Sequence, residues 1–257
     1  MNYFLAILAG AVQGLTEFLP ISSTGHLIIF EHVFGLSQDS FGLSFDASLH
    51  LGTLLAVIIF FYKDYLHALK SKKLLLALVI GTIPAVAAGL LFENYINSDV
   101  RQLWVVGTTL ILFSFVMLAA DRIGKKISTI TKINPKDALI IGIFQAIALI
   151  PGVSRSGSTI SAGLFLGYTR QDAARFAFLL SGPIIAGAGG KKFLEVLSSP
   201  ASRTDIDFFL VGMLSSAVFG YLTIKYFLKY LALHNLNIFI VYRIIIGLIL
   251  LSTLFWI

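Results

Sequence analysis

Long apolar runs alternate with short polar breaks along almost the whole chain. Six runs reach or nearly reach the roughly 17–25 residues that an α-helix needs to cross a bilayer. They are 45–61, 74–92, 103–120, 174–190, 207–224 and 238–257. Four other apolar pieces, 3–19, 27–35, 138–150 and 160–168, are too short or interrupted, and each neighbouring pair brackets a polar segment. The first segment is Pro20–His26 (PISSTGH) and the second is Pro151–Thr159 (PGVSRSGST). A short helix, a tip rich in Gly, Pro and Ser, and a second short helix predict a re-entrant hairpin that enters and leaves on one side. Polar backbone in hydrocarbon is costly, so such a tip is tolerated only where protein or water covers it. The pattern predicts an all-α polytopic membrane protein, six transmembrane helices plus two re-entrant helix hairpins, in one integral-membrane domain covering 1–257.

Composition agrees with that class. Of 257 residues, 57% are hydrophobic and 12% charged, where a soluble domain carries about 25% charged. The absence of cysteine excludes disulfides, thiolate nucleophiles and Cys-ligated metals. The net charge of +6 does not indicate a nucleic-acid partner, because membrane proteins hold Lys and Arg on the cytoplasmic side for topological reasons.

The basic residues also set the topology. Thirteen of the 19 Lys and Arg fall in 62–73, 121–137, 168–175 and 225–237. Four lie in the alternate segments, Arg101, Lys191, Lys192 and Arg203, while Arg155 and Arg243 lie within apolar runs. With the rich segments inside, the bias supports six crossings, the first hairpin on the outer side and the second on the inner side.

A shift of 132 residues superposes Ala6 on Ala138, Gly10 on Gly142, Gln13 on Gln145, Ser22 on Ser154, Gly25 on Gly157 and Gly35 on Gly167. Two copies entering from opposite faces make an inverted-topology repeat whose broken helices meet near the midplane. The first repeat is 1–120 with hairpin 3–35, and the second is 121–257 with hairpin 138–168.

The candidate chemistry lies on the two tips. Arg155, flanked by Ser154, Ser156 and Gly157, must face a partner or a polar cavity at that depth. Its planar fork suits phosphate, and the hydroxyls of Ser154, Ser156 and Thr159 supply further donors. The plainer alternative is an ion pair with Glu17 that closes the two hairpins; the number of hydroxyls favours the anion site. Gln13 and Glu17, four apart, share a helix face. Ser22, Ser23, Thr24 and His26 follow on the tip, so a carboxylate, a histidine and serines provide a base and an alternative pair of nucleophiles. Asp46 and His50 are also four apart; they read as a local helix-surface pair, with an entrance-lining role as the alternative.

The motifs Gln13-Gly-Leu-Thr-Glu17-Phe-Leu-Pro20-Ile-Ser22-Ser23-Thr24-Gly25-His26 and Pro151-Gly-Val-Ser154-Arg155-Ser156-Gly157-Ser158-Thr159 closely resemble the two signatures of the bacterial undecaprenyl-diphosphate phosphatase family, also called bacitracin-resistance proteins. The resemblance runs over essentially the whole chain. It implies hydrolysis of undecaprenyl diphosphate to undecaprenyl phosphate and inorganic phosphate, which recycles the lipid carrier for peptidoglycan synthesis. It also implies a multi-pass protein of the bacterial plasma (inner) membrane with a site opening outward, and dependence on Mg²⁺ or Ca²⁺. The family's first motif begins with Glu or Gln; this chain has Gln13, which weakens a metal site built on Glu17.

In that setting Glu17, Ser23, His26 and Arg155 are the expected catalytic residues, with Glu17 as base or metal ligand and Ser23 or His26 as nucleophile. Gln13, Ser22, Thr24, Ser154, Ser156 and Thr159 are the expected substrate contacts. The expected partners are undecaprenyl diphosphate and membrane lipids, with a homodimer left open and no nucleic acid. A lipid-phosphate transporter or flippase using the same midplane site is the alternative function, since inverted repeats with broken helices are common in transporters.

Overall fold

The fold is that of a computed structural model, which describes residues 3–36, 43–92, 102–198 and 206–255. Among these residues there is no strand ladder, only one isolated bridge between Ser128 and Tyr168. The helices in chain order are α1 (Tyr3–Phe18), α2 (Ser23–Val33), α3 (Leu43–Phe60), α4 (Tyr62–Lys70), α5 (Lys72–Leu91), α6 (Leu103–Ile123), α7 (Pro135–Ile147), α8 (Arg155–Phe165), α9 (Arg170–Ser198), α10 (Ile206–Leu231) and α11 (Asn237–Ser252). The protein is all-α and polytopic. Arg101 and Arg203, used in the charge count, lie outside the described residues, as do the last two residues of the 238–257 run.

The count of six crossings is met in part. α5, α6, residues Arg170–Lys191 of α9 and Asp207–Leu231 of α10 are long and apolar enough to span. A fifth span forms if α3 and α4, bent by 69° at their junction, are taken together. α11 has only 16 residues, about 24 Å at 1.5 Å per residue, short of the roughly 30 Å of hydrocarbon. The segment 62–73, which looks like a loop in the sequence, begins as the helix α4. Tyr62, Leu66 and Leu69 recur at four- and three-residue intervals and are all exposed, while Lys63, His67 and Lys70 occupy other positions around the helix. That amphipathic pattern suits a helix lying along an interface.

Both predicted hairpins form, α1–α2 and α7–α8, and their tips share one backbone design. Each second helix is capped by a serine at positive φ, Ser22 (φ 74°, ψ 96°) and Ser154 (φ 74°, ψ 114°). The Ser22 hydroxyl accepts from the Gly25 N–H at 3.3 Å, and the Ser154 hydroxyl from the Gly157 N–H at 3.2 Å. A positive φ is unfavourable for a residue with a side chain, by roughly 1–3 kcal/mol, and the cap bonds offset part of that.

Small residues let the hairpins seat deeply. A side chain at Gly14 would collide with the Ser216 carbonyl on α10, and one at Gly142 would collide with the Gly81 carbonyl on α5. α1 therefore packs on α10 as α7 packs on α5, with backbones in close approach as membrane helices favour. Between them Phe18, Phe61, Phe178 and Phe227 anchor the main core, and Phe18 meets Phe178 edge to face at 5.3 Å. On the basic side Asp121 accepts from Arg170 Nε at 2.5 Å and from the Leu236 N–H at 3.2 Å. These contacts tie α6 to the starts of α9 and α11.

Candidate active site

The two tips meet, and a buried arginine holds them together. Arg243 on α11 is fully buried. Its NH1 donates to the Pro20 carbonyl of the first tip at 3.2 Å, and its NH2 to the Gly152 and Val153 carbonyls of the second, both at 3.1 Å. Its Nε donates to the Ser114 hydroxyl on α6 at 3.2 Å. The acceptors are carbonyls and a hydroxyl, which satisfy the donors of a buried guanidinium and also the carbonyls left over by two sharp turns. Two further bonds hold the second tip: Thr109 Oγ1 donates to the Pro151 carbonyl at 2.6 Å, and Ser156 Oγ to the Leu19 carbonyl at 2.9 Å.

Glu17 lies where the tips converge. Its side chain is 4% exposed, against 24% for the Arg155 side chain beside it. Arg155 NH1 stands 3.1 Å from Glu17 Oε1 in an ion pair that links the two hairpins, the plainer alternative read from the sequence, without the alignment of a hydrogen bond. The other oxygen, Oε2, accepts from Ser23 Oγ at 2.6 Å and from Gln13 Nε2 at 3.0 Å. A carboxylate so placed can draw the proton of the serine hydroxyl, the arrangement that activates a nucleophile. Glu17, Ser22, Ser23, Thr24, Ser154 and Arg155 line a small cavity of about 30 Å³ together with the backbone turn 148–152. The N-terminus of α8 opens on it, adding partial positive charge for an anion.

The remaining expected residues divide by what their side chains touch. Ser22 and Ser154 are helix caps whose chains also line the cavity. Ser156 bonds to Leu19 and stands 3.2 Å from Ser154 Oγ, so it joins the tips. Thr159 donates back to the Arg155 carbonyl at 2.7 Å within α8 and is not among the cavity residues. Thr24 lines the cavity. His26 turns away from Ser23: its Nδ1 donates to the Ser22 carbonyl at 2.8 Å and its Nε2 lies 2.7 Å from the Tyr242 hydroxyl.

Two residues join this environment that sequence reasoning did not place in it. Arg243 carried a usable signal, a charge inside an apolar run. His50, read as a partner of Asp46 with an entrance-lining role as the alternative, lies with its Nδ1 3.0 Å from Gln13 Nε2; its place beside α1 depends on packing that spacing does not show.

The metal implied by the resemblance does not fit these residues. Among the described residues no three His, Cys, Asp or Glu side chains converge as ligands. Glu17 is the one carboxylate lining the cavity, and its oxygens already face Arg155, Ser23 and Gln13. A protein-held divalent cation normally collects several oxygen ligands, so no step below is routed through one.

The fold and site define a polytopic membrane protein with a partly buried arginine–glutamate–serine cluster where two helix hairpins meet. The family model described as bacitracin resistance protein BacA matches residues 6–249, and the chain belongs to that family. It is 48% identical over 241 residues to an undecaprenyl-diphosphatase of Thermodesulfovibrio yellowstonii, covering 93% of each chain. It is 44% identical over 253 residues to one of Rubrobacter xylanophilus, again covering 93% of each. It is 42% identical over 257 residues to undecaprenyl-diphosphatase 3 of Bacillus cereus, covering 99% of this chain and 98% of that one.

Proposed function

We propose that this protein hydrolyses undecaprenyl diphosphate to undecaprenyl phosphate and inorganic phosphate at the junction of its two hairpin tips. The observation that carries the reading is the Ser23–Glu17–Arg155 cluster: a hydroxyl bonded to a buried carboxylate, with an arginine from the other tip paired to that carboxylate. Membership of the BacA family and the near full-length identity to undecaprenyl-diphosphatases support the substrate.

Arg155 and the N-terminus of α8 bind the terminal phosphate and stabilise charge as it transfers. Glu17 takes the Ser23 proton as Ser23 Oγ attacks the terminal phosphorus. The bond from that phosphorus to the bridging oxygen breaks, and undecaprenyl phosphate leaves. Glu17 hands the proton it holds to the departing bridging oxygen of undecaprenyl phosphate. Its freed carboxylate then takes a proton from the water that attacks the phosphoserine and returns it to Ser23 Oγ as inorganic phosphate departs. Gln13 holds Glu17 in line, and Thr24 offers a further donor at the cavity. Ser22, Ser154, Ser156 and Thr159 serve the phosphate by fixing the turns that present it to Arg155.

This assignment gives Ser23 the nucleophile's role and makes His26 a support for the turn. The bond from Ser23 to Glu17 favours hydrolysis over lipid translocation, because holding a head group does not require an activated hydroxyl. The matched serine caps, and the packing of α1 on α10 as of α7 on α5, support two interlocked inverted repeats, 1–120 and 121–257. The basic segments support a plasma-membrane protein with its inner face at α4, and we place the site's opening toward the outer face.

Phosphate release from undecaprenyl diphosphate by the purified protein in detergent tests the reading. The wild type turns over, and Ser23→Ala lowers kcat by roughly 10³-fold or more. Lipid translocation in liposomes without phosphate release by the wild type would replace it with the transporter.

A further inference from the structure

His50 reaches the site from a fourth helix, after α1, α2 and α8. It lies on α3, and its Nδ1 is 3.0 Å from Gln13 Nε2 and 3.9 Å from Glu17 Oε2. Its side chain is 27% exposed, so it borders the buried cluster. The hydrogens follow from the network. The Gln13 amide nitrogen donates and cannot accept, and it stands 3.0 Å from both Glu17 Oε2 and His50 Nδ1. Its two N–H groups therefore go one to each. The opposite amide orientation would set Gln13 Oε1 against the carboxylate, acceptor facing acceptor. His50 Nδ1 thus carries no proton, and the neutral ring holds its proton on Nε2.

We propose that neutral His50 is a positioning residue for the phosphatase reaction: by accepting from Gln13 it keeps that amide turned onto Glu17, and its protonation breaks the arrangement. The inference rests on the phosphatase reading above. The result is a continuous chain, His50 to Gln13 to Glu17 to Ser23, in which this family member places an amide at the first motif position and an imidazole behind it.

A protonated ring sets an N–H against the Gln13 NH₂ at 3.0 Å, donor facing donor. Gln13 must then turn its oxygen to His50 and present that same oxygen to Glu17, or the imidazolium must swing onto Glu17. Either way the carboxylate is a poorer acceptor for the Ser23 proton, and activity falls as pH falls through the titration of His50. The charged groups around His50 include Glu17 on α1, 3.9 Å away, and Asp46 one turn earlier on α3. Arg155 on α8 lies beyond Glu17, and Lys191 follows on α9 two residues after the Gly189 that packs on Leu51. The stretch of α10 that faces α3, residues 208–220, carries no titratable side chain.

Phosphate release from undecaprenyl diphosphate, measured from about pH 5 to 9 around the imidazole range, compares the wild type with His50→Leu and His50→Gln. His50→Leu is expected to lower kcat roughly three- to tenfold, with KM changed by about twofold or less. Gln accepts through its amide oxygen without titrating, so His50→Gln recovers most of that loss. The ratio of its rate to the wild-type rate rises toward acid pH, and the substrate's own titration cancels in that ratio. Wild-type kcat in His50→Leu, no recovery in His50→Gln, or a ratio flat with pH would overturn the proposal. If His50→Leu fails to give a cooperative thermal melt in detergent, the His50→Gln ratio decides alone. An inactive wild type would defeat the phosphatase reading itself, a result distinct from an active enzyme indifferent to His50.

Discussion

The two hairpin tips have the same backbone and different chemistry. Ser22 and Ser154 share a φ of 74°, and each accepts from the N–H of a glycine three residues on, Gly25 or Gly157. What differs at the 132-residue shift is the working set. Glu17 corresponds to Leu149, Ser23 to Arg155 and His26 to Ser158. Even the shared glutamine diverges: Gln13 bonds Glu17 and His50, whereas Gln145 donates to the Gly81 carbonyl at 3.4 Å in the α7–α5 packing. The conserved half of the design builds a turn that survives in a membrane. The diverged half puts an acid and a hydroxyl on one tip and a cation on the other.

Arg243 marks where that comparison breaks down into one unit, since it bonds carbonyls from both tips. Replacing it with Met leaves those carbonyls buried without their donors. The largest expected loss of stability is here, about 3–5 kcal/mol, read as a lowered thermal melt in detergent. A wild-type melt would mean that the tips do not depend on it. Arg155→Lys tests the cation of the second tip. Lysine keeps the charge and loses the planar fork, so kcat/KM should fall roughly a hundredfold with little change in melting. The smallest effect separates the two glutamines. Gln13→Leu should lower kcat by about tenfold, while Gln145→Leu should keep its rate and lose about 1 kcal/mol of stability. Equal effects of the two on the rate would contradict the division between a chemical and a structural copy.

Much of this was legible in the sequence because polar residues in hydrocarbon need a reason. That logic located both hairpins, Glu17, Ser23 and Arg155, and the shift of 132 residues paired the tips. Other features depended on packing that no spacing encodes. The tip serines looked like phosphate ligands, but a serine three residues before a glycine can equally cap a helix, and Ser22 and Ser154 do so. His26 sits three residues after Ser23, yet its partner Tyr242 is 216 positions away on α11. α4 carries enough Lys and His to look like a loop, although its apolar residues recur at helical spacing. Arg243 was visible as a charge in an apolar run, but its role required three carbonyls that only the folded tips bring together.

On the proposed mechanism the first tip performs the chemistry and the second holds the phosphate. Binding and turnover of undecaprenyl diphosphate by Ser23→Ala and Arg155→Ala, measured side by side in detergent, test it most directly. Ser23→Ala should bind the diphosphate within about threefold of wild type and barely turn it over, whereas Arg155→Ala should lose roughly a hundredfold or more in affinity. Wild-type turnover by Ser23→Ala, or wild-type affinity in Arg155→Ala, would contradict it.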